Sequence, residues 1–143
     1  ILKNFNGINY RSYVVKDGEH PYNVSQIFYG DPTYDWLILL ANDIQNVYDE
    51  WPKDSVTFEK YIIEKYGSLS AASSTIKYYY DSDKDIIDLT TYNSLSSSEK
   101  SSESVYQWEQ RMNDNKRIIR VINQSLLSSI QSQLNALNIK PII

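Results

Sequence analysis

The chain of 143 residues has no cysteine, one histidine, one methionine, four glycines and four prolines. Without cysteine there is neither a disulfide framework nor a thiolate metal site, an absence that fits synthesis in a reducing compartment such as a cytoplasm. With His20 as the lone histidine, a zinc centre would need several carboxylates around it. His20 precedes Pro21 in a turn and reads as a surface or capping residue. The longest apolar run, Trp36 to Ala41, falls far short of the roughly 18 residues of a membrane span and reads as a buried short helix. Basic residues are outnumbered, 14 against 18 acidic ones, for a net charge of −4. Nucleic-acid binding needs a basic footprint that displaces counterions, so this balance argues against it. No charged-then-apolar leader opens the sequence, so no secretory signal is expected. Nucleophile elbow, phosphate loop and dinucleotide fingerprint are all missing.

What the chain does have is tyrosine, thirteen of them. Tyrosine offers rigid amphipathic contact area at low entropic cost and is enriched at protein interfaces, though β-rich segments also favour it. A length of this order holds one domain or two very small ones.

Tyr10 to Val15 carries β-formers closed by the turn signal Lys16-Asp17-Gly18. Pro21 opens a helix on whose single face Val24, Ile27 and Phe28 fall, and Gly30 stands where a left-handed residue ends it. Asp31 then takes the N-cap position before Pro32, leading into Trp36–Ala41, which has no polar face, and Asn42-Asp43 ends that helix. A connector with Val47-Tyr48 and Trp51-Pro52 reaches a third helix over 55–66, striped by Phe58, Tyr61, Ile62 and Tyr66 and stopped by Gly67. Ser68 to Ser74 is small and polar and reads as a hinge.

Beyond it the period changes to two residues. Ile76–Tyr80 and Ile86–Thr91 read as strands around the turn Asp81-Ser82-Asp83-Lys84. The serine-rich stretch 93–104 has too little apolar surface to pack and reads as a mobile loop. Val105–Met112 and Arg117–Ile122 then read as a hairpin around Asn113-Asp114-Asn115. A last helix over 125–138 has Ser125 as N-cap and Leu126, Leu127, Ile130, Leu134 and Leu137 on one face. The expected fold is α+β: a strand-helix-helix unit with a third helix over 1–67, then β-hairpins, a serine-rich loop (93–104) and a C-terminal helix over 75–143.

Two constellations test for chemistry. Asp81, Asp83, Asp85 and Asp88 alternate like the first positions of a calcium loop, but Ile86 stands where such a loop needs glycine and Tyr92 where it needs a bidentate glutamate. The pattern reads as an acidic, solvated turn. Paired carboxylates for glycoside hydrolysis would need one raised pKa, and no Asp or Glu sits inside an apolar run. The expectation is therefore no enzyme, no metal site and no cofactor.

The corner Tyr29-Gly30-Asp31-Pro32, followed by Tyr34, Trp36 and Asn42-Asp43, then Trp51-Pro52 and Lys65-Tyr66-Gly67, resembles the small baseplate wedge protein of contractile-tailed bacteriophages, with its LysM-like module. Tyr106-x-Trp108-Glu109 through Met112-Asn113 and Asn115-Lys116-Arg117-x-Ile119 resembles a C-terminal segment of the same proteins. The resemblance implies a structural subunit of the virion tail baseplate, made in the host cytoplasm. It would join neighbouring wedge and hub proteins in a sixfold assembly, with no nucleic acid or membrane partner. LysM modules bind N-acetylglucosamine chains between two loops, here about 17–21 and 42–48. Gly18-Glu19-His20-Pro21 departs from the usual Gly-Asp-Thr-Leu, and the second strand around Val47-Tyr48 is poorly defined, so protein contact is favoured over peptidoglycan, the alternative ligand. The residues expected to dock partners are His20, Tyr22, Asn42, Asp43, Tyr48 and Trp51, with the apolar tail Ile142 and Ile143 and the apolar head 1–5 packing on the core or on a neighbour.

Overall fold

A computed structural model describes residues 9–137. In chain order the elements are β1 (Tyr10–Val14), α1 (Pro21–Tyr29), a 3-10 turn (Pro32–Tyr34), α2 (Asp35–Ala41), α3 (Val47–Glu50), α4 (Ser55–Tyr66) and α5 (Leu69–Ser74). There follow β2 (Ile76–Asp81), β3 (Ile86–Ile87), α6 (Leu89–Ser94), β4 (Lys100–Ser104), α7 (Val105–Asn115), β5 (Ile118–Ile122), a 3-10 turn (Gln124–Leu126) and α8 (Leu127–Ala136). The α+β class and the C-terminal helix are as the sequence implies. No helix among the described residues is long and apolar enough to cross a membrane.

The chain forms two compact units, and their boundary differs from the expected division into 1–67 and 75–143: one comprises 1–54 with 116–143, the other 55–115. The first unit is closed by β1 and β5, which pair antiparallel in register from Tyr10 opposite Ile122 to Val14 opposite Ile118. The expected hairpin over 105–122 is therefore corrected. Its first arm is helix α7, which buries Val105, Glu109 and Asn113 at a helical spacing of about four. Its second arm takes its partner from the start of the chain.

Local rules hold well in the first unit. Pro21 opens α1, Asn23 Oδ1 accepts the His20 N–H at 2.8 Å, and Gly30 ends the helix at φ 72° with its N–H on the Gln26 carbonyl. Asp31 accepts from Thr33 N at 2.8 Å and so caps the 3-10 turn that leads into α2. The buried face of α1 is Val24, Ser25 and Tyr29, with Phe28 half-buried, whereas Ile27 points outward. On α2, Leu37, Ile38 and Ala41 are buried and Trp36, Leu39 and Leu40 partly so. These side chains meet Val15, Ile119, Val121 and Ile122 from the strands and Ile130 and Leu134 from α8 in one core. Ser125 does not cap the C-terminal helix: Asn123 caps the 3-10 turn that leads into it, accepting from Ser125 N at 3.1 Å, and α8 itself starts at Leu127 without a side-chain cap.

In the second unit Phe58 and Ile62 of α4 form a core with Ala72, against which Tyr61, Tyr66, Leu69 and Tyr106 pack. The stretch 68–74 is no hinge: Ser68 caps α5 by accepting from Ala71 N at 3.0 Å, and Ala72 anchors the helix in that core. The three-stranded sheet has the order β3-β2-β4. Its members correct two expectations. The strand expected over 86–91 lasts two residues, after which Asp88 accepts from Thr91 N at 2.7 Å and starts α6. The expected mobile loop over 93–104 instead holds the end of α6 and all of β4, paired antiparallel with β2. Backbone ladders need no apolar side chains, which is why serine content misleads there.

Candidate docking surfaces

The residues of the first unit expected to dock partners divide into ones held inside the fold and ones exposed on its surface. Trp51 is a support: it is 4% exposed, lies in the core and donates its indole N–H to the Glu19 carbonyl at 2.8 Å. Its expected docking role is corrected, since a ring enclosed on all sides offers no surface to a partner. Asn42 is a second support. Its amide donates to the Ile38 and Arg120 carbonyls and accepts the Arg120 N–H, each at 2.8 Å, which locks the end of α2 to the outer edge of β5. Removing it orphans both Arg120 backbone groups, so Asn42→Ala should cost about 2 kcal/mol, read as a lower urea midpoint with unchanged slope.

The exposed ones are His20 and Asp43 in loops, Tyr22 at the start of α1 and Tyr48 on α3. His20 and Tyr22 are exposed and stack at 5.2 Å with ring planes 11° apart. The loop beneath them is ordered by Glu19, whose carboxylate accepts from the Tyr13 hydroxyl at 2.8 Å and the Lys16 N–H at 2.8 Å. Burial and that carboxylate push the Tyr13 hydroxyl up to about 12. Asp43 is exposed in the left-handed conformation at φ 55°. Tyr48 is 89% exposed on α3. Ile142 and Ile143, and the apolar head 1–5, lie outside the described residues.

The turn that carries Tyr48 is held from several sides. Asn46 caps it, accepting from Tyr48 N at 3.1 Å, while the Glu50 carboxylate accepts the Gln45 and Asn46 N–H groups at 2.7 and 2.6 Å. These two backbone donors hold the Glu50 carboxyl below its usual range. Lys116 donates to the Asp49 carbonyl from across the chain. Beside the turn is a cleft of about 330 Å³ lined by Asn42, Ile44, Asp49, Glu50, Lys116, Ile118 and Ile119.

In the second unit the polar interior is organised by Glu109. It is 6% exposed and accepts from Lys65 Nζ at 2.6 Å, the Tyr66 hydroxyl at 2.6 Å and the Tyr61 hydroxyl at 3.2 Å. Burial alone would raise its pKa, but the bonds from Lys65 and Tyr66 and the charge of Lys65 outweigh it and hold the carboxyl below the ordinary glutamate value. A carboxylate so held is a structural joint between α4 and α7, not a poised acid. Arg111 pairs with Glu103 at 2.8 Å, and Glu103 also accepts from the Tyr80 hydroxyl, beside an open cleft of about 410 Å³. Trp108, half-buried on α7, has Lys77 Nζ 4.4 Å from its ring centroid.

The acidic turn spends its oxygens on the backbone. Asp81 Oδ1 accepts from Asp83 N and Asp85 N at 2.9 and 3.0 Å, and Asp88 caps α6. Among the described residues no group of three or more His, Cys, Asp or Glu could hold a metal ion. Sequence reasoning missed one surface altogether: Val14 and Ile118, directly opposite each other in the β1–β5 pair, are 59% and 66% exposed. Alternation within each strand could have placed them on the face away from the core, had the pairing been known.

The first unit exposes the rings of Tyr22 and Tyr48 and the apolar pair Val14 and Ile118, and the second buries the carboxylate of Glu109 as a joint between helices. The chain belongs to the base plate wedge protein 53 family, whose profile matches residues 2–101. It is thus a structural protein of the phage tail base plate, where it interacts with other base plate proteins. The match runs from ahead of β1 into β4, so β5 and α8, which complete the first unit, follow it. No curated protein matches the chain.

Proposed function

We propose that this subunit joins neighbouring wedge proteins around the hub of a contractile tail, one copy per wedge in a sixfold ring, by docking exposed aromatic and apolar side chains and without catalysis. The observation that carries the reading is Tyr48. A ring 89% exposed, on a turn fixed by Asn46, Glu50 and Lys116, is a preorganised anchor whose ordering cost is met before binding. His20, Tyr22 and Asp43 supply further contacts from the same unit. Ring closure requires two different patches on each subunit, because head-to-tail contacts are heterologous.

The order strand, helix, helix, strand in β1, α1, α2 and β5 supports reading the first unit as a LysM-like module reused for protein contact. On that reading its second strand is β5, not Val47-Tyr48. The first of the loops that would flank a glycan groove is pinned by the Trp51 bond to the Glu19 carbonyl, which counts against a sugar site. Tyr48→Ala should leave the thermal midpoint of the isolated chain within about 1 °C, since surface changes cost less than about 0.5 kcal/mol. Its incorporation into co-expressed wedge assemblies should fall at least tenfold, the scale of an interface hot spot of about 2 kcal/mol. Unchanged incorporation would overturn the role of Tyr48. Saturable binding of the chain to purified peptidoglycan, competed by N-acetylglucosamine oligomers, would overturn the docking reading itself.

A further inference from the structure

Among the described residues the β1–β5 sheet has one edge closed by side chains and one edge that no strand pairs. Val15 N donates to the Arg117 carbonyl and Asn123 N to the Asn9 carbonyl, so with the register Tyr10–Ile122 to Val14–Ile118 the residues bonded between the strands are 9, 11, 13 and 15 on one side and 117, 119, 121 and 123 on the other. The backbone groups of residues 118, 120 and 122 therefore point away from β1, and the fold plugs that edge with side chains. Asn42 takes both the N–H and the carbonyl of Arg120, and the Tyr29 hydroxyl takes the Ile122 carbonyl at 2.9 Å.

Among the described residues nothing comparable covers β1. The outward N–H and carbonyl groups of Tyr10, Ser12 and Val14 have no partner among the described residues. Of the usual protections of an edge, the strand has no proline and its register shows no bulge, so its only guard is the charge of Arg11. Side chains at 10, 12 and 14 share one face with those at 118, 120 and 122; Ile122 is buried in the core at one end of it, whereas the apolar pair Val14 and Ile118 stands exposed at the other. Arg11 and Lys16, one on the strand and one just past its end, are exposed cations with no ion-pair partner among the described residues.

We infer that β1 is the acceptor for a strand of a neighbouring base plate protein, which adds to the sheet beside Tyr10–Val14. Its backbone satisfies the groups of residues 10, 12 and 14, its apolar residues cover Val14, and its carboxylates meet Arg11 and Lys16. Extended backbone is the one chemistry complementary to an open strand edge, and the two bare cations set the sign of its charge. The inference rests on the wedge-joining role proposed above and names one of its contact surfaces.

Ser12→Pro is the selective variant, because the Ser12 N–H points outward. Proline there removes a donor from the free edge and leaves every β1–β5 bond in place. The isolated variant is expected to melt within about 2 °C of the parent, while its incorporation into co-expressed wedge assemblies falls at least tenfold. Val14→Glu, which leaves the backbone alone, should lower incorporation more than Val14→Lys, since only the glutamate repels an acidic strand. Hydrogen exchange needs no variant. The amides of Tyr10, Ser12 and Val14 should exchange at least a hundredfold more slowly in the assembly than in the free chain. Assembly of Ser12→Pro at the parental level, or equal exchange in both states, overturns the strand-acceptor inference alone. Protection of these amides in the free chain overturns it too, because the edge is then covered from within. Failure of the parent chain to enter any wedge assembly overturns the joining role and this inference with it.

Discussion

Trp51→Ala should destabilise the first unit by about 3–5 kcal/mol, the range for removing a buried tryptophan side chain. The ring is one of the largest members of a core built from β1, β5 and three helices, and its indole N–H is the link to the Glu19 carbonyl at the β1–α1 loop. Truncation leaves a cavity between elements that come from distant parts of the chain, so local repacking can recover little of the loss. Trp51→Phe keeps most of the volume and forfeits the hydrogen bond, and should cost about 1–2 kcal/mol. Urea unfolding followed by circular dichroism checks both. The comparison with Tyr48→Ala is the informative one, because the two aromatics stand three residues apart in one connector. A Trp51→Ala midpoint as high as that of Tyr48→Ala would show that the tryptophan does not hold the unit together.

The second large effect is expected at Glu109. Glu109→Gln removes a charge that Lys65 meets at 2.6 Å, and it weakens the acceptor of the Tyr66 hydroxyl. Lys65 is 45% exposed and can return to water, so the loss should be about 2 kcal/mol, below the 3–5 kcal/mol of a fully enclosed pair. The same joint predicts a pH dependence. The folded carboxyl titrates below its ordinary value of 4.5, so the unfolded chain binds the proton more readily. The stabilisation is then complete above that ordinary value and is lost as the pH falls through the depressed folded one. Unfolding free energies measured from pH 7 down to pH 3 should decline for the parent and decline less for Glu109→Gln. Parallel curves would show that acid acts elsewhere. No metal, cofactor or catalytic proton enters either expectation, in keeping with a structural base plate protein.

Helix starts and stops were legible because their causes lie within a few residues. Pro21, Gly30, Asp31 and Gly67 each act on the neighbouring turn, and α1 and α4 begin and end where those residues put them. The serine-rich stretch was misread because the composition of side chains was taken as evidence about backbone pairing. The strand Lys100–Ser104 is held by its ladder to β2 and by Glu103, which Arg111 and Tyr80 grip. Residues 105–115 were misread because an aromatic-rich segment before an Asn-Asp-Asn turn fits a hairpin arm as well as a helix. What decides between them is the buried Glu109, whose partners Lys65 and Tyr66 come from α4.

Of the docking residues, the sequence marked Tyr48 and Trp51 alike, and only the fold separates them. One ring meets the Glu19 carbonyl and the core, whereas the other projects from a capped turn. By itself the amino-acid order determined the absence of cysteine chemistry, the local caps and turns, the short amphipathic helices and the family. The tertiary structure alone decided that Tyr10–Val14 pairs with Ile118–Ile122, that the middle of the chain forms a unit of its own, and that one edge of the first sheet has no strand beside it among the described residues. The physical reason is range: capping and periodicity act over a single turn, while strand pairing depends on which distant segments share a core, and no local pattern records that choice.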